Sequence, residues 1–319
     1  MPATSAQPAT LPLDTNPRVS GVPAQFARIS SNTEHHRVNG NTDEMNIGVD
    51  HIQGIALNQS GSFLFLTHNR DGDYGTLIVC EFDDKNRKIV QKVQLPNKGF
   101  NHPGGVQQIG DILVVPLEKD TASRVVFYDL TSVTTSKPPT LLTAVIASDS
   151  HKAGGVGITS WTAPGDVTPR HLVAIYDNGD LYLQQSNGQP LASTGVVFNA
   201  VGSKQTLGRS DYSTVSLVTD TSGAVYLVGF WTEQDGAVYK TDYMDLLQLN
   251  PATWQFSVVQ SKQHVICKHG ATVGSYGVHF RWAGGLRIVS SSSIQALACA
   301  RNFVGGPSGA TEMNLIKEK

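Results

Sequence analysis

"FNHPGGVQQIGDILVVPLE", residues 100–118, sets a histidine, a proline and two glycines ahead of two short apolar runs and ends on a glutamate. Short apolar or alternating runs bounded by Gly, Asn, Asp or Pro mark strands and turns. Read this way, the stretch is a polar head, small residues, a strand, a turn and a returning strand.

The same layout recurs. HIQGIALNQSGSFLFLTHN (51–69) and HKAGGVGITSW followed by RHLVAIYDNG (151–179) repeat it, with leading histidines His51, His102 and His151 spaced 51 and 49 residues apart. In SDYSTVSLVTDTSGAVYLVGFWTE (210–233) Asp211 takes the leading place, 60 residues on, and YGVHFRWAGGLRIVSSSS (276–293) is a divergent fifth copy. Between these pairs lie two more strand-like runs per unit, such as GTLIVCEFDD and KIVQKVQLP in the first. Four strands in about 50 residues is the size of a propeller blade.

The units, "LNQSGSFLFLTHN" above all, resemble the repeats of β-propellers and are loosely similar to lactonase-like and NHL-like ones. The resemblance covers nearly the whole chain from residue 50, and its motif belongs to the architecture rather than to one family, so it carries over no catalytic residue. The expectation is an all-β, five-bladed propeller of four-stranded antiparallel blades. The last unit lacks a strand, and AQFARISSN (24–32) is assigned to it as an outer strand that closes the ring. Six blades remain the alternative if residues 17–49 hold further strands. Residues 1–23, rich in Pro, Thr, Ala and Ser, read as a flexible lead-in or an extended strap over a surface, with a single domain over 24–319.

Composition agrees: of 319 residues only 16% are charged and 31 are Gly, which suits many short strands. A net charge of −2 with no Lys/Arg cluster argues against nucleic acid as a partner. No apolar run approaches the roughly 20 residues needed to span a bilayer, so no membrane is expected as a partner either. The opening MPATSAQPATLPLDTNP has neither a basic nor an apolar leader region, which points to the cytoplasm, although a processed secreted chain would read the same. Cys80, Cys267 and Cys299 show no metal-ligand spacing and read as reduced and buried. Oligomeric state is not legible.

The repeat makes a geometric statement about chemistry. The innermost strand of a blade starts at one face of the ring and the second returns to it. Residues heading first strands (His51, His102, His151, Asp211) and ending second strands (His68, Glu118, Asp177, Trp231) should therefore meet at the channel mouth, with His279 nearby. His51, His102 and His151 could ligate a divalent metal ion (Zn, Fe or Ca) that acidifies water or polarises a carbonyl, as lactone or ester hydrolysis needs. Without metal, one imidazole would act as general base, oriented by Glu118 or Asp177 and assisted by Asp211. The bland reading is that these polar heads cap turns and link blades. The function expected is a hydrolase, lyase or isomerase acting on a small molecule, and the alternative is a glycan- or protein-binding scaffold with Trp161 and Trp231 on the funnel wall. Trp254 and Trp282 read as blade packing.

Other motifs are weaker. DGDYG (71–75) lacks the closing Glu of a calcium loop and reads as a strand connection. TEHHRVNGNTDEMN (33–46), with His35, His36, Asp43 and Glu44, reads as a surface loop that could cover the mouth. GGVG (154–157) and VGGPSG (304–309) serve turns and close strand packing rather than phosphate binding.

Overall fold

The apolar runs fold as strands whose two faces are both buried. A computed structural model describes residues 14–31, 33–40, 51–69, 72–235, 238–264, 277–302 and 310–317. Cys267, Asp43, Glu44, Asp71 and VGGPSG lie outside the described residues. A helix, α1 (Val22–Arg28), and a strand, β1 (Glu34–Asn39), come first. Then follow β2 (Ile52–Leu57), β3 (Phe63–His68), β4 (Thr76–Phe82) and β5 (Arg87–Gln94). The next group is β6 (His102–Pro103), β7 (Gln107–Ile109), β8 (Ile112–Lys119), β9 (Ala122–Asp129) and β10 (Thr140–Ser148). A third comprises β11 (Gly155–Trp161), β12 (Arg170–Asp177), β13 (Asp180–Ser186), β14 (Phe198–Ala200) and β15 (Gln205–Thr206). The fourth is β16 (Thr214–Thr219), β17 (Val225–Asp235), β18 (Val238–Asn250) and β19 (Gln255–His264), and β20 (His279–Ser290), β21 (Ser293–Cys299) and β22 (Ala310–Ile316) end the chain.

The fold is an all-β propeller of mostly antiparallel sheets with one short helix. Its strands make four hydrogen-bonded sheets, not the five separate ones expected. The reason is local: β1 pairs antiparallel with β22 and also touches β5 in parallel at Asn39 and Lys88, which merges two four-stranded runs into one sheet of order β2-β3-β4-β5-β1-β22-β21-β20. The strand added from the N-terminal region is thus Glu34–Asn39. AQFARISSN is instead largely α1, which starts after Gly21 in the left-handed region (φ 62) with a proline in its first turn. Val22, Phe26 and Ile29 stand four and three residues apart and share one buried face, a helical spacing rather than an alternating one.

Side-chain alternation sends each central strand into two cores. On β4, Leu77 and Val79 join one apolar cluster while Ile78, Cys80 and Phe82 join another. On β12, Leu172, Ala174 and Tyr176 face the β16–β19 sheet while Val173 and Ile175 face the β7–β10 sheet. Five such clusters separate successive runs of strands. Cys80 and Cys299 are free and buried in one of them. The turns carry the backbone that reversal requires: Asn178 (φ 45) and Gly179 (φ 98) make a tight hairpin between β12 and β13.

The first strands of the runs pack side by side: β2 against β20 and β7, β7 against β11, β11 against β16, and β16 against β20. Close approach is bought with glycine here. A Cβ on Gly104 would stand 2.3 Å from the Gly154 carbonyl oxygen, and one on Gly285 would stand 2.5 Å from that of Ile55. Gly105 and Gly155 bridge in parallel, with Gly105 N–H donating to Gly154 O (2.9 Å) and Val156 N–H to Gly105 O (3.0 Å). Gln107, 1% exposed, fills the space between β11 and β16. Its Oε1 accepts from the N–H groups of Ile158 and Leu217, both at 2.8 Å, and its Nε2 donates to Leu217 O at 2.7 Å. The centre at this depth holds a glutamine amide and glycines.

One face is covered by the N-terminal segment. Asn16 bonds Gln108 O and Gly110 N–H, Arg18 reaches Thr162, Val19 pairs with Asp220, and Ser20 N–H donates to Ser291 O. Residues 14–20 therefore run as a strap across the ends of the first strands. At its start His171 Nε2 meets Asp14 O at 2.9 Å, and Leu191 N–H donates to the Asp14 carboxylate at 2.8 Å.

Two predictions follow from the axis and the strap. Gln107→Leu keeps the volume but strands three buried backbone groups, each worth about 1–3 kcal/mol. Chemical denaturation should show a loss of at least ~3 kcal/mol, and a loss below ~1 would refute the assigned role of the amide. Burial holds the His171 pKa below its ordinary value, outweighing the attraction of Asp14, so the folded state binds the neutral ring. The unfolded chain takes up the proton first, and stability present above the unfolded pKa near 6.5 is lost as pH falls below it. Melting temperature measured between pH 7.5 and 5.5 should drop more for the native chain than for His171→Gln.

Candidate functional site

The face opposite the strap carries the heads of the first strands. His102 pairs with Glu118 in the β6–β8 ladder, and Gly104 N–H donates to Pro116 O (3.0 Å) while Thr67 Oγ1 donates to Gly104 O (2.9 Å). These bonds put His102 Nδ1 2.7 Å from Glu118 Oε1. The carboxylate lies off the line of the ring N–H, so this is a close charge contact rather than an aligned hydrogen bond. The His102 side chain is 39% exposed and that of Glu118 only 13%. Both line a cleft of about 400 Å³ with Asn101, Lys119, Asp120 and Lys152.

His51 joins this pair through a residue the sequence reading did not single out. Gln53, two positions along from His51, places Nε2 2.7 Å from His51 Nε2 and 2.8 Å from His102 Nε2. Acting as donor to both, its amide caps two imidazole lone pairs and leaves the proton of each neutral ring on Nδ1. His51 N–H donates to Asn69 Oδ1 at 2.6 Å, and the ring meets the edge of Trp282 at 5.7 Å. The guanidinium groups of Arg281 and Arg301 lie 5.8 and 5.3 Å from the centre of the Trp282 ring. Trp282, expected to be packing alone, therefore also borders the site.

The other expected residues disperse. His151 stacks on Tyr182 (3.8 Å, 12°) with Nδ1 2.9 Å from Lys152 O. With His51 and His102 both held by Gln53, the three histidines do not converge as metal ligands. Among the described residues no three His, Cys, Asp or Glu side chains group closely enough to hold a metal ion. Asp177 accepts from Lys152 N–H at 3.0 Å and so shapes the cleft wall instead of orienting an imidazole. Asp211 is exposed and paired with Arg209, whose guanidinium lies 3.4 Å from the Trp231 ring centre, and Trp231 stacks on Tyr243 at 4.1 Å. His279 is buried, with Nδ1 3.1 Å from an Asp242 carboxylate that also accepts from Thr232 Oγ1 (2.6 Å) and Phe280 N–H (3.0 Å). His68 is buried at the end of β3. Trp161 sits at the far end of β11, donating to Gly223 O (3.0 Å) and meeting Trp254 edge-on, so it belongs to the strap face and not to the funnel. His36, expected in a surface loop, is a buried member of β1.

Among the described residues no helix is long and apolar enough to cross a membrane.

No family model matches the chain, and no curated protein does. Among solved structures, the periplasmic gluconolactonase of Pseudomonas aeruginosa is similar over 84% of this chain and 74% of its own, at 11% identity and a TM-score of 0.40. The tail fiber of Staphylococcus aureus phage P68 is similar over 93% of this chain and 56% of its own, at 8% identity and a TM-score of 0.42. The PQQ-bound aldose sugar dehydrogenase of Streptomyces coelicolor is similar over 90% and 99%, at 10% identity and a TM-score of 0.39. The chain thus has lactonase-like and sugar-dehydrogenase propellers among its structural neighbours and no assigned family, and its chemistry has to be argued from its own side chains.

Proposed function

We propose that this protein is a propeller enzyme of hydrolase type that acts on a small ester or lactone at the face opposite the strap, with His102 as general acid–base. The observation that carries this reading is the half-open imidazole of His102 set 2.7 Å from a largely buried carboxylate in a cleft of about 400 Å³. The Gln53 amide at Nε2 holds the Nδ1–H tautomer of the resting ring, and the Glu118 carboxylate 2.7 Å from Nδ1 stabilises the ring when Nε2 takes a proton. An attacking water takes the place of the Gln53 amide and donates its O–H to Nε2, which removes that proton as the water attacks the substrate carbonyl. Lys119 and Lys152 line the same cleft and supply positive charge for the oxyanion that develops. We also infer five blades, counting the merged sheet as two; five apolar clusters and the neighbour relations of the first strands support that count.

A panel of lactones and esters assayed with the native chain, His102→Gln and Glu118→Gln tests the reading. Turnover by the native chain should fall ~10²- to 10⁴-fold in His102→Gln at unchanged melting temperature, the range of one general acid–base group. Glu118→Gln should lose less, chiefly in kcat. Equal turnover in His102→Gln would sink the assignment, and saturable binding at the cleft without any turnover would favour the binding-scaffold alternative.

A further inference from the structure

A second cleft, of about 380 Å³, opens on the strap side where the two runs of the eight-stranded sheet meet. Its wall includes the β2–β3 turn (Ser60, Gly61, Ser62), Arg87 at the start of β5, Arg287 of β20, and Lys317. Acidic groups line it too: Asp83 accepts from Lys85 and Asn86 N–H at 2.7 and 2.6 Å, Glu34 pairs with Lys317 and lies 3.2 Å from His36 Nε2, and Asp84 stands beside them. The guanidinium of Arg287 donates to the Gln59 carbonyl (2.8 Å) and to Gln295 Oε1 (3.4 Å), both neutral acceptors. Its Nε–H, and that of Arg87, are buried with no hydrogen-bond partner among the described residues. A guanidinium withdrawn from water without a carboxylate is costly, and burial holds the Arg287 pKa below its ordinary value. Its position makes sense when an anion completes the set.

We propose that this cleft binds a tetrahedral oxyanion, a phosphate group, between Arg287 and Arg87, with the Ser60–Ser62 hydroxyl pair, joined at 2.6 Å, supplying one further donor. Two guanidinium groups from different strands and a hydroxyl from a turn line the same cleft, and donors from three separate elements suit four oxygens better than the flat pair of a carboxylate. The anion bridges β20, the β2–β3 turn and β5, and so ties the first and last runs of strands together beside the β1–β5 contact.

The test is thermal unfolding with inorganic phosphate against chloride and acetate at equal ionic strength, paired with a ³¹P NMR titration. The native chain should gain about 4 °C at phosphate about 100 times Kd and broaden the phosphate line. Arg287→Gln should abolish both effects. Should that variant fold poorly, Arg87→Gln carries the test, with Kd raised roughly tenfold or more. His102→Gln, on the opposite face, should respond like the native chain. Equal gains in chloride and phosphate, an undiminished response in Arg87→Gln, or a response lost only in His102→Gln would each overturn the proposal.

Discussion

The amide of Gln107 is the partner that the first strands would otherwise lack. A first strand has no further strand beyond it, so its inward N–H and C=O groups must find partners at the centre or remain buried and unsatisfied. Gln107 supplies one acceptor and one donor to Ile158 and Leu217 on two different sheets, and the Gly105–Gly155 bridge joins the β6–β7 segment to β11 directly. The same bonds locate the site. His102 lies two residues before Gly104, which is clamped by Pro116 N-terminal to Glu118 and by Thr67 from the neighbouring run. Holding the centre therefore holds His102 against Glu118.

Packing then distributes the load evenly. Because β4, β8, β12 and β17 each present apolar side chains to both sides, no sheet has a solvent face along its inner strands, and the runs read as continuous rather than alternating. The two faces of the propeller are treated differently. The strap and α1 close one end with apolar residues Val19, Val22, Phe26 and Ile29 in the same cluster as β20 and β21. The other end is left to polar heads and connections, among them His51, His102 and Glu118.

Much of this was legible in the recurring heads and the glycines, since a fixed spacing of small residues before apolar runs has few other solutions. What failed did so for identifiable reasons. AQFARISSN looked alternating in isolation, but counting from Val22 exposes its helical face. Trp161 was placed at the wrong end because its run was treated as a point: seven residues of β11 at about 3.3 Å each carry it some 20 Å from the mouth. Gln53 was passed over because amides lack the chemical signature of histidine, yet its position two residues from His51 on one strand was the available signal. The spread of His151 was not legible, because Tyr182, which captures it, lies on a strand paired elsewhere in the blade.

The Gln53 bridge sets the resting state of the site by a count of hydrogens. One amide nitrogen carries two, and both are spent on the Nε2 atoms of His51 and His102. As long as the bridge holds, neither ring can carry a proton at that nitrogen, and neither can accept one from a substrate. Protonating either ring turns an acceptor into a donor facing a donor, which the amide can relieve only by turning its oxygen toward them. The exposed face of His102 is the side from which a ligand can compete for Nε2, while the His51 ring is backed by Trp282. The bridge is thus the restraint that fixes the two rings and their protons in the resting structure.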